Sequence, residues 1–367
     1  MQIPADSTRL RLRRSGLITC DRERACPGYV LFAPVYGQDA YLVDLDGTVV
    51  HQWKLPFRPG LWGYLLPNGN LFYAGKTERD PNLARFANWH MFHGGELQEL
   101  DWDGNVVWHH FDPDQHHDAR RTAAGGALYL TVEPMPADLV ERVRGGVEGT
   151  DAHGMWSDVI VEVDAAGNRV WEWHAKDHLD PETDVITFND LRHEWSHGNT
   201  VVPLPGGRVL VSFRNISTIG IIDQTSGAFT WRIGAPMLAQ QHDAGELPNG
   251  NVLVFDNGAY RSTIPMPFSR VVEIDPKTNQ VAWSYQDRPL QDFFSPYISG
   301  ARRLPNGNTL ITEGCSGRIF QVTPAGAVVW EFVNPFGGDD PLGQWVLGHN
   351  AVFRASHYSP GEIPRLP

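Results

Sequence analysis

Histidine and arginine recur at the edges of short apolar runs between Trp195 and Gly258. The chain reads Trp195-Ser196-His197-Gly198-Asn199-Thr200, then Ser212-Phe213-Arg214-Asn215, then Gln241-His242-Asp243 leading to Phe255-Asp256-Asn257-Gly258. An arginine inside an apolar run is costly to bury unless it meets a carboxylate or an anionic ligand. For Arg214 the carboxylates suggested by the sequence are Asp223 and Asp243. A guanidinium beside imidazoles also suits a tetrahedral oxyanion such as sulfate or phosphate, which accepts paired N–H donors. Neutral imidazoles equally suit a divalent metal. His117, His197, His242 and His349 would form such a site if they converged, although Arg214 beside them would repel a cation.

The elements that must position these residues are read from a repeat. One phrase, an apolar alternation, an acidic turn containing Gly, then a strand ending in Trp, spans Tyr41 to Trp53, Leu97 to Trp108 and Val159 to Trp171. It returns in looser form at Gly220 to Trp231, Val271 to Trp283 and Ile319 to Trp330. Each copy is a hairpin by its period-2 pattern and turn residues. A second hairpin phrase, Leu-Pro-Asn-Gly-Asn, stands at 66–70, 247–251 and 304–308, with variants at 204–208 and 122–126. One phrase of each kind makes four strands, and copies recur roughly every 45–65 residues, near the period of propeller blades. The first copy lacks a leading strand while the chain ends with a spare one, Gly348 to Ala355. Ring closure by the C-terminal strand resolves both and removes exposed edges. The reading is therefore all-β: a six-bladed β-propeller over 28–357, an N-terminal extension over 1–27 and a C-terminal tail over 358–367. Two insertions, Thr77 to Gly95 and Pro134 to Trp156 (with a short helix from Ala137 to Arg144), fall between second and third strands and form loops or a lid. The tract from Asp177 to His193 joins two blades.

Innermost strands line the channel, so the residues that begin them sit at similar depth. Aligned on the Leu-Pro-Asn-Gly turn, they are Trp62, His117, His197, His242, the stretch from Tyr297 to Ser299, and His349. Four histidines in six places, from 15 in the chain, argue for a shared site rather than separate strand caps.

Composition sets outer bounds. A net charge of −13 argues against a broad nucleic-acid surface, and no apolar run reaches the roughly 20 residues a membrane span needs. The first residues carry no apolar core of signal-peptide length, so the chain reads as cytoplasmic. The expected partner is a small molecule, anionic by the reading of Arg214, with neither nucleic acid nor membrane, and a homodimer stays open. Three cysteines are too few for a disulfide framework. Walker, dinucleotide and nucleophile-elbow motifs are missing. His193-Glu194-Trp195-Ser196-His197 has the His-Glu-x-x-His spacing of zinc proteases, but an extended tract would hold the two histidines about 13 Å apart.

These residues resemble the bacterial arylsulfate sulfotransferases. The likeness rests on Trp195-Ser-His197-Gly-Asn199-Thr, Ser212-Phe-Arg214, Gln241-His242 leading to Val254-Phe-Asp-Asn-Gly258, and His116-His117-Asp118. It implies a six-bladed propeller moving a sulfuryl group between phenols without a nucleotide donor and without a cofactor. It implies His242 as the nucleophile that is transiently sulfated, with His197, Arg214 and His117 holding the sulfuryl oxygens and assisting proton transfer. Trp62, Trp195 and Tyr297 would stack on a phenol ring, with His349 and Asn199 also in the substrate site. The chain resembles a short form that lacks the family's signal peptide and N-terminal domain. A lyase, isomerase or hydrolase using these histidines, with or without a metal, is the alternative, and a non-catalytic binding propeller the third.

Overall fold

The computed structural model describes residues 14–77, 85–86, 89–261, 266–338 and 349–366. Among them, six antiparallel sheets stand around one axis. Their innermost strands are Val352–Tyr358, Pro59–Leu65, His116–Arg121, Gly198–Leu204, His242–Glu246 and Gly300–Arg303 for blades one to six. Each inner strand packs against its two neighbours, and the ring closes where the C-terminal strand meets blades two and six. Blade one is completed outward by Tyr29–Pro34, Asp39–Val43 and Val49–Lys54, so the C-terminal strand closes the N-terminal blade as the repeat predicts.

Turn chemistry explains the repeated phrase. Asp44, Asp101 and Asp164 each accept two backbone N–H groups from the turn they open, at 2.8–3.0 Å. The glycine that follows takes a left-handed φ, 73° at Gly47 and 88° at Gly104, which costs a residue without Cβ little. The tryptophan does something the periodicity does not reveal. The indole N–H of Trp53 reaches Asp101 O at 3.1 Å, Trp108 reaches Ala165 O at 3.2 Å, and Trp171 reaches Gln224 O at 2.9 Å. Trp231 bonds Asn279, Trp283 bonds Pro324 O, and Trp330 bonds Leu45 O, each at 2.9 Å. Each blade is thus latched to the outer hairpin turn of the next, and Trp330 latches the sixth to the first. These indoles bury an apolar body while satisfying their one donor.

Both chain ends take part more than the sequence suggests. Gly16–Cys20, inside the supposed extension, pairs antiparallel with Val328–Val333 as a fifth strand of blade six. It covers an edge whose backbone donors and acceptors would otherwise face solvent. Ile363 and Leu366, in the supposed tail, are buried against blades one and two. The boundaries at 28 and 357 therefore do not bound the packed unit. The three cysteines are free.

Both insertions leave blades between second and third strands. The first carries a helical turn, Trp89–Phe92; the second carries Ala137–Val140, shorter than the 137–144 span read from sequence. The joining tract holds a strand, Ile186–Leu191, paired in parallel with Gly145–Val147 of the second insertion. No helix among the described residues is long and apolar enough to cross a membrane.

Candidate functional site

At one end of the channel lies a cavity of about 210 Å³ whose walls include His117, His197, Arg214, His242 and Tyr297. Two of these histidines sit on strained backbone: φ is 49° at His117 and 53° at His197. Left-handed non-glycine residues are uncommon and persist where surrounding contacts over-determine them. Both lie at the very start of an inner strand, where the chain turns in from the preceding blade.

His242 is the most constrained. Its Nδ1 lies 2.8 Å from Asn257 Oδ1, and Asn257 Nδ2 donates to Ser295 O at 2.7 Å and Ile298 O at 2.9 Å. With its amide nitrogen committed to two carbonyls, Asn257 can only accept from His242. The imidazole is thereby fixed with its proton on Nδ1, and Nε2 keeps a lone pair at the cavity wall. Burial, reinforced by the nearby Arg214 charge, holds the His242 pKa well below the usual 6.5. His117 is depressed likewise by burial and by the neighbouring His197 and His116.

Behind the other two histidines stand carboxylates. Glu194 contacts His197 Nδ1. His117 Nδ1 shares a 2.7 Å hydrogen bond with His116 Nδ1, and His116 Nε2 lies 3.1 Å from Asp158 Oδ1 without hydrogen-bond alignment. Burial raises the Asp158 pKa, but His116, Ser196 and the Gly198 N–H bring it below the ordinary carboxylate value. Phe92, from the first insertion, stacks on His117 at 4.6 Å between centroids and meets His197 edge-on at 4.9 Å. The His117 and His197 rings are 4.6 Å apart.

Arg214 pairs with neither Asp223 nor Asp243. Its Nη1 meets Asp190 at 3.0 Å, its Nη2 donates to Gln240 Oε1 at 2.9 Å, and its guanidinium lies 5.1 Å from the Tyr297 ring centre. Its Nε is buried and has no partner. Asp223 caps its own turn through Ser226, and Asp243 binds Arg302.

Four residues read as substrate-binding from sequence lie elsewhere. Trp62 does not line the cavity: strand alternation turns it to the channel centre, where its indole donates to Asp118 Oδ1 at 3.2 Å, and Leu61 lines the cavity instead. Trp195 is fully buried between blades three and four and donates to Asp184 O at 2.8 Å, so no substrate can stack on it. Asn199, fully buried, ties blade four to blade five through Gln241 O at 2.8 Å. His349 is exposed and precedes the closing strand, whose cavity residue is Phe353. The four-histidine set therefore does not form, and no group of three or more His, Cys, Asp or Glu among the described residues is arranged to hold a metal ion. His193 and His197 lie on no helix, so the zinc-protease spacing has no structural counterpart.

Sequence reasoning missed Asp190, Glu194, Tyr260, Asn257 and Phe92. Asp190 arrives on the joining tract and Glu194 directly after it, where no repeat can be aligned. Asn257 had a usable signal: it ends the strand that pairs with His242, in Asp256-Asn257-Gly258.

A six-bladed propeller with one channel mouth walled by histidines and a buried arginine defines the class of protein. The chain belongs to the arylsulfotransferase (ASST) family, whose model matches residues 79–335, more than half of the chain. Among solved structures it is similar to a protein of unknown function from Bacteroides caccae, at 13% identity over 90% of this chain and 98% of that one, with a TM-score of 0.54. It is also similar to a streptogramin B lyase (12% identity, 87% and 82% covered, TM-score 0.48) and to apo AztD from Citrobacter koseri (9%, 91% and 99%, 0.46). The likeness to the first extends to the fold alone. No curated protein matches the chain.

Proposed function

We propose that the protein moves a sulfuryl group from an aryl sulfate to a phenol through a sulfated His242. The observation that carries this reading is the pinned His242 ring: neutral, protonated at Nδ1 by its bond to Asn257, with a free Nε2 lone pair. That is the protonation state a nitrogen nucleophile needs.

In the first half-reaction His242 Nε2 attacks sulfur, an N–S bond forms, the S–O bond breaks and the aryl oxygen leaves with the electron pair. In the second, a phenol oxygen attacks the same sulfur, the N–S bond breaks and His242 returns to its neutral form. The phenol's proton goes to a neighbouring imidazole, and His197, with Glu194 behind its Nδ1, is placed to receive it. Charge on the sulfuryl oxygens is met by Arg214, whose guanidinium stands on the cavity wall, and by His117. Phe92, Tyr297 and Tyr260 offer aromatic faces to the two ring substrates. The cavity volume supports single-ring substrates, since a cavity of about 150 Å³ accommodates benzene.

The test is 4-nitrophenyl sulfate with phenol, following nitrophenolate release, with His242→Ala alongside. Phenol-dependent release that disappears in the variant supports the reading. Release that survives in the variant, or no release by the wild type, refutes it.

A further inference from the structure

Below the cavity the channel is blocked by a plug to which all six inner strands contribute. At its centre is Arg354, on the closing strand and 1% exposed. Its Nη1 meets Asp118 Oδ2 at 3.0 Å, its Nη2 donates to Asn199 O at 2.5 Å and Thr200 Oγ1 at 2.9 Å, and its Nε forms an ion pair with Asp243 Oδ1 at 3.1 Å. Trp62 of blade two donates to Asp118. Arg302 of blade six grips both oxygens of Asp243 at 2.6 Å, and the Ala301 N–H reaches it at 3.0 Å. Asp243 N donates in turn to Thr200 Oγ1 at 3.0 Å, and Val201 N to Asp118 Oδ2 at 3.0 Å.

The partners of Arg354 are not random plug residues. Asp118 follows His117, Asp243 follows His242, and Asn199 and Thr200 stand two and three residues after His197. One guanidinium therefore touches each of the three strands that carry a cavity histidine, within three residues of that histidine. The backbone is left-handed at His117, His197 and Asp243, so these strand starts do not hold their shape by local preference and need outside contacts.

We propose that Arg354 is a positioning residue for the reaction: by binding the three histidine-bearing strands at once, it sets the spacing of His117, His197 and His242 in the cavity. The inference rests on the sulfuryl-transfer reading for its consequence in rate, but its geometric content is separate. Lysine keeps the charge at this place but lacks the planar fork needed for four partners on three strands.

The experiment compares Arg354→Lys with Arg318→Lys. Arg318 is also buried and also held by two carboxylates, Glu313 at 3.2 Å and Glu331 at 2.8 Å, but it lines no part of the cavity. Thermal melting, kcat and KM for 4-nitrophenyl sulfate with phenol, and ¹⁵N-labelled histidine NMR are recorded on both. Both variants should melt earlier. Only Arg354→Lys should lower kcat, by about 100-fold as a displacement near 1 Å would, with KM little changed and the cavity histidine signals shifted. Equal damage from Arg318→Lys, or a folded Arg354→Lys with unmoved histidine signals, overturns the proposal. If Arg354→Lys does not fold, Thr200→Val removes one arm of the hub and should shift the His197 signal and lower kcat several-fold; an unmoved signal again overturns it. If the wild type transfers no sulfuryl group, the sulfotransferase reading fails while the histidine signals still decide the hub.

Discussion

Two arginines are buried in this channel, and they are satisfied to different degrees. Arg354 faces two carboxylates, a carbonyl and a hydroxyl, its Nε lying 3.1 Å from Asp243 Oδ1 without hydrogen-bond alignment. Arg214 faces one carboxylate and two amide oxygens, and its Nε is buried without a partner. Removing one partner of a buried ion pair costs about 3–5 kcal/mol because it strands the other charge, and Arg354 has two such partners where Arg214 has one. Arg354, between two carboxylates, ties inner strands together. Arg214, with a single carboxylate, stands on the cavity wall. The same contrast separates His242, whose Nδ1 is committed and whose Nε2 is free, from the outer tryptophans, whose only donor is always used.

The comparison can be broken at either arginine, and the largest effect should come from neither. Removing the nucleophile, His242→Ala, should lower kcat by at least about 10⁴-fold, as losing a covalent catalytic residue does, with a modest change in melting temperature. Arg214→Gln should follow at about 10²–10³-fold in kcat, the cost of one oxyanion donor, again with the protein folded. Arg354→Met should instead unbalance Asp118 and Asp243 and destabilise the fold by about 3–5 kcal/mol, read from a denaturant midpoint. A large stability loss in Arg214→Gln with little loss in Arg354→Met would reverse the assignment. The smallest effect belongs to the rim: Trp330→Phe loses the latch to Leu45 O and should cost about 1 kcal/mol with unchanged kcat.

A pH series sharpens the same contrast. Because the folded His242 pKa lies well below 6.5, its nucleophilic form is already complete at pH 6.5. The acidic limb of kcat/KM assigned to it should therefore fall below that pH rather than at it. Stability declines in the same direction but from a higher pH. The unfolded chain binds protons at His117 and His242 near pH 6.5 that the folded chain refuses, so the melting temperature should decline as pH drops below about 6.5. A histidine-to-alanine change at either position should flatten that decline.

How much of this was legible follows from what repeats. The ring was readable because its outer turns and tryptophans recur six times, and because a missing strand at one end matched a spare at the other. His117, His197, Arg214, His242 and Tyr297 were readable because they occupy equivalent or adjacent places in that repeat, and the structure gathers all five. Trp62 and His349 misled for the same reason: alignment fixes a residue's place along a strand, but not the way a bulge or a one-residue offset turns its side chain. Trp195 and Asn199 sit beside His197 in the motif, and proximity in sequence stood in for proximity in space. Asp190, Glu194 and Phe92 enter from insertions and joining segments without a repeat, where only the folded chain shows what faces the cavity. Gly16–Cys20 was too short a strand, in too polar a context, to be seen before its partner edge was known.

The central claim is that His242 carries the sulfuryl group. Donor alone, 4-nitrophenyl sulfate without phenol, should give a burst of one nitrophenolate per protein molecule, and mass spectrometry of the quenched protein should find one sulfuryl group on the peptide holding His242. Adding phenol should then discharge it. A steady release with no burst and an unmodified His242 peptide, under conditions where transfer to phenol proceeds, would contradict the account.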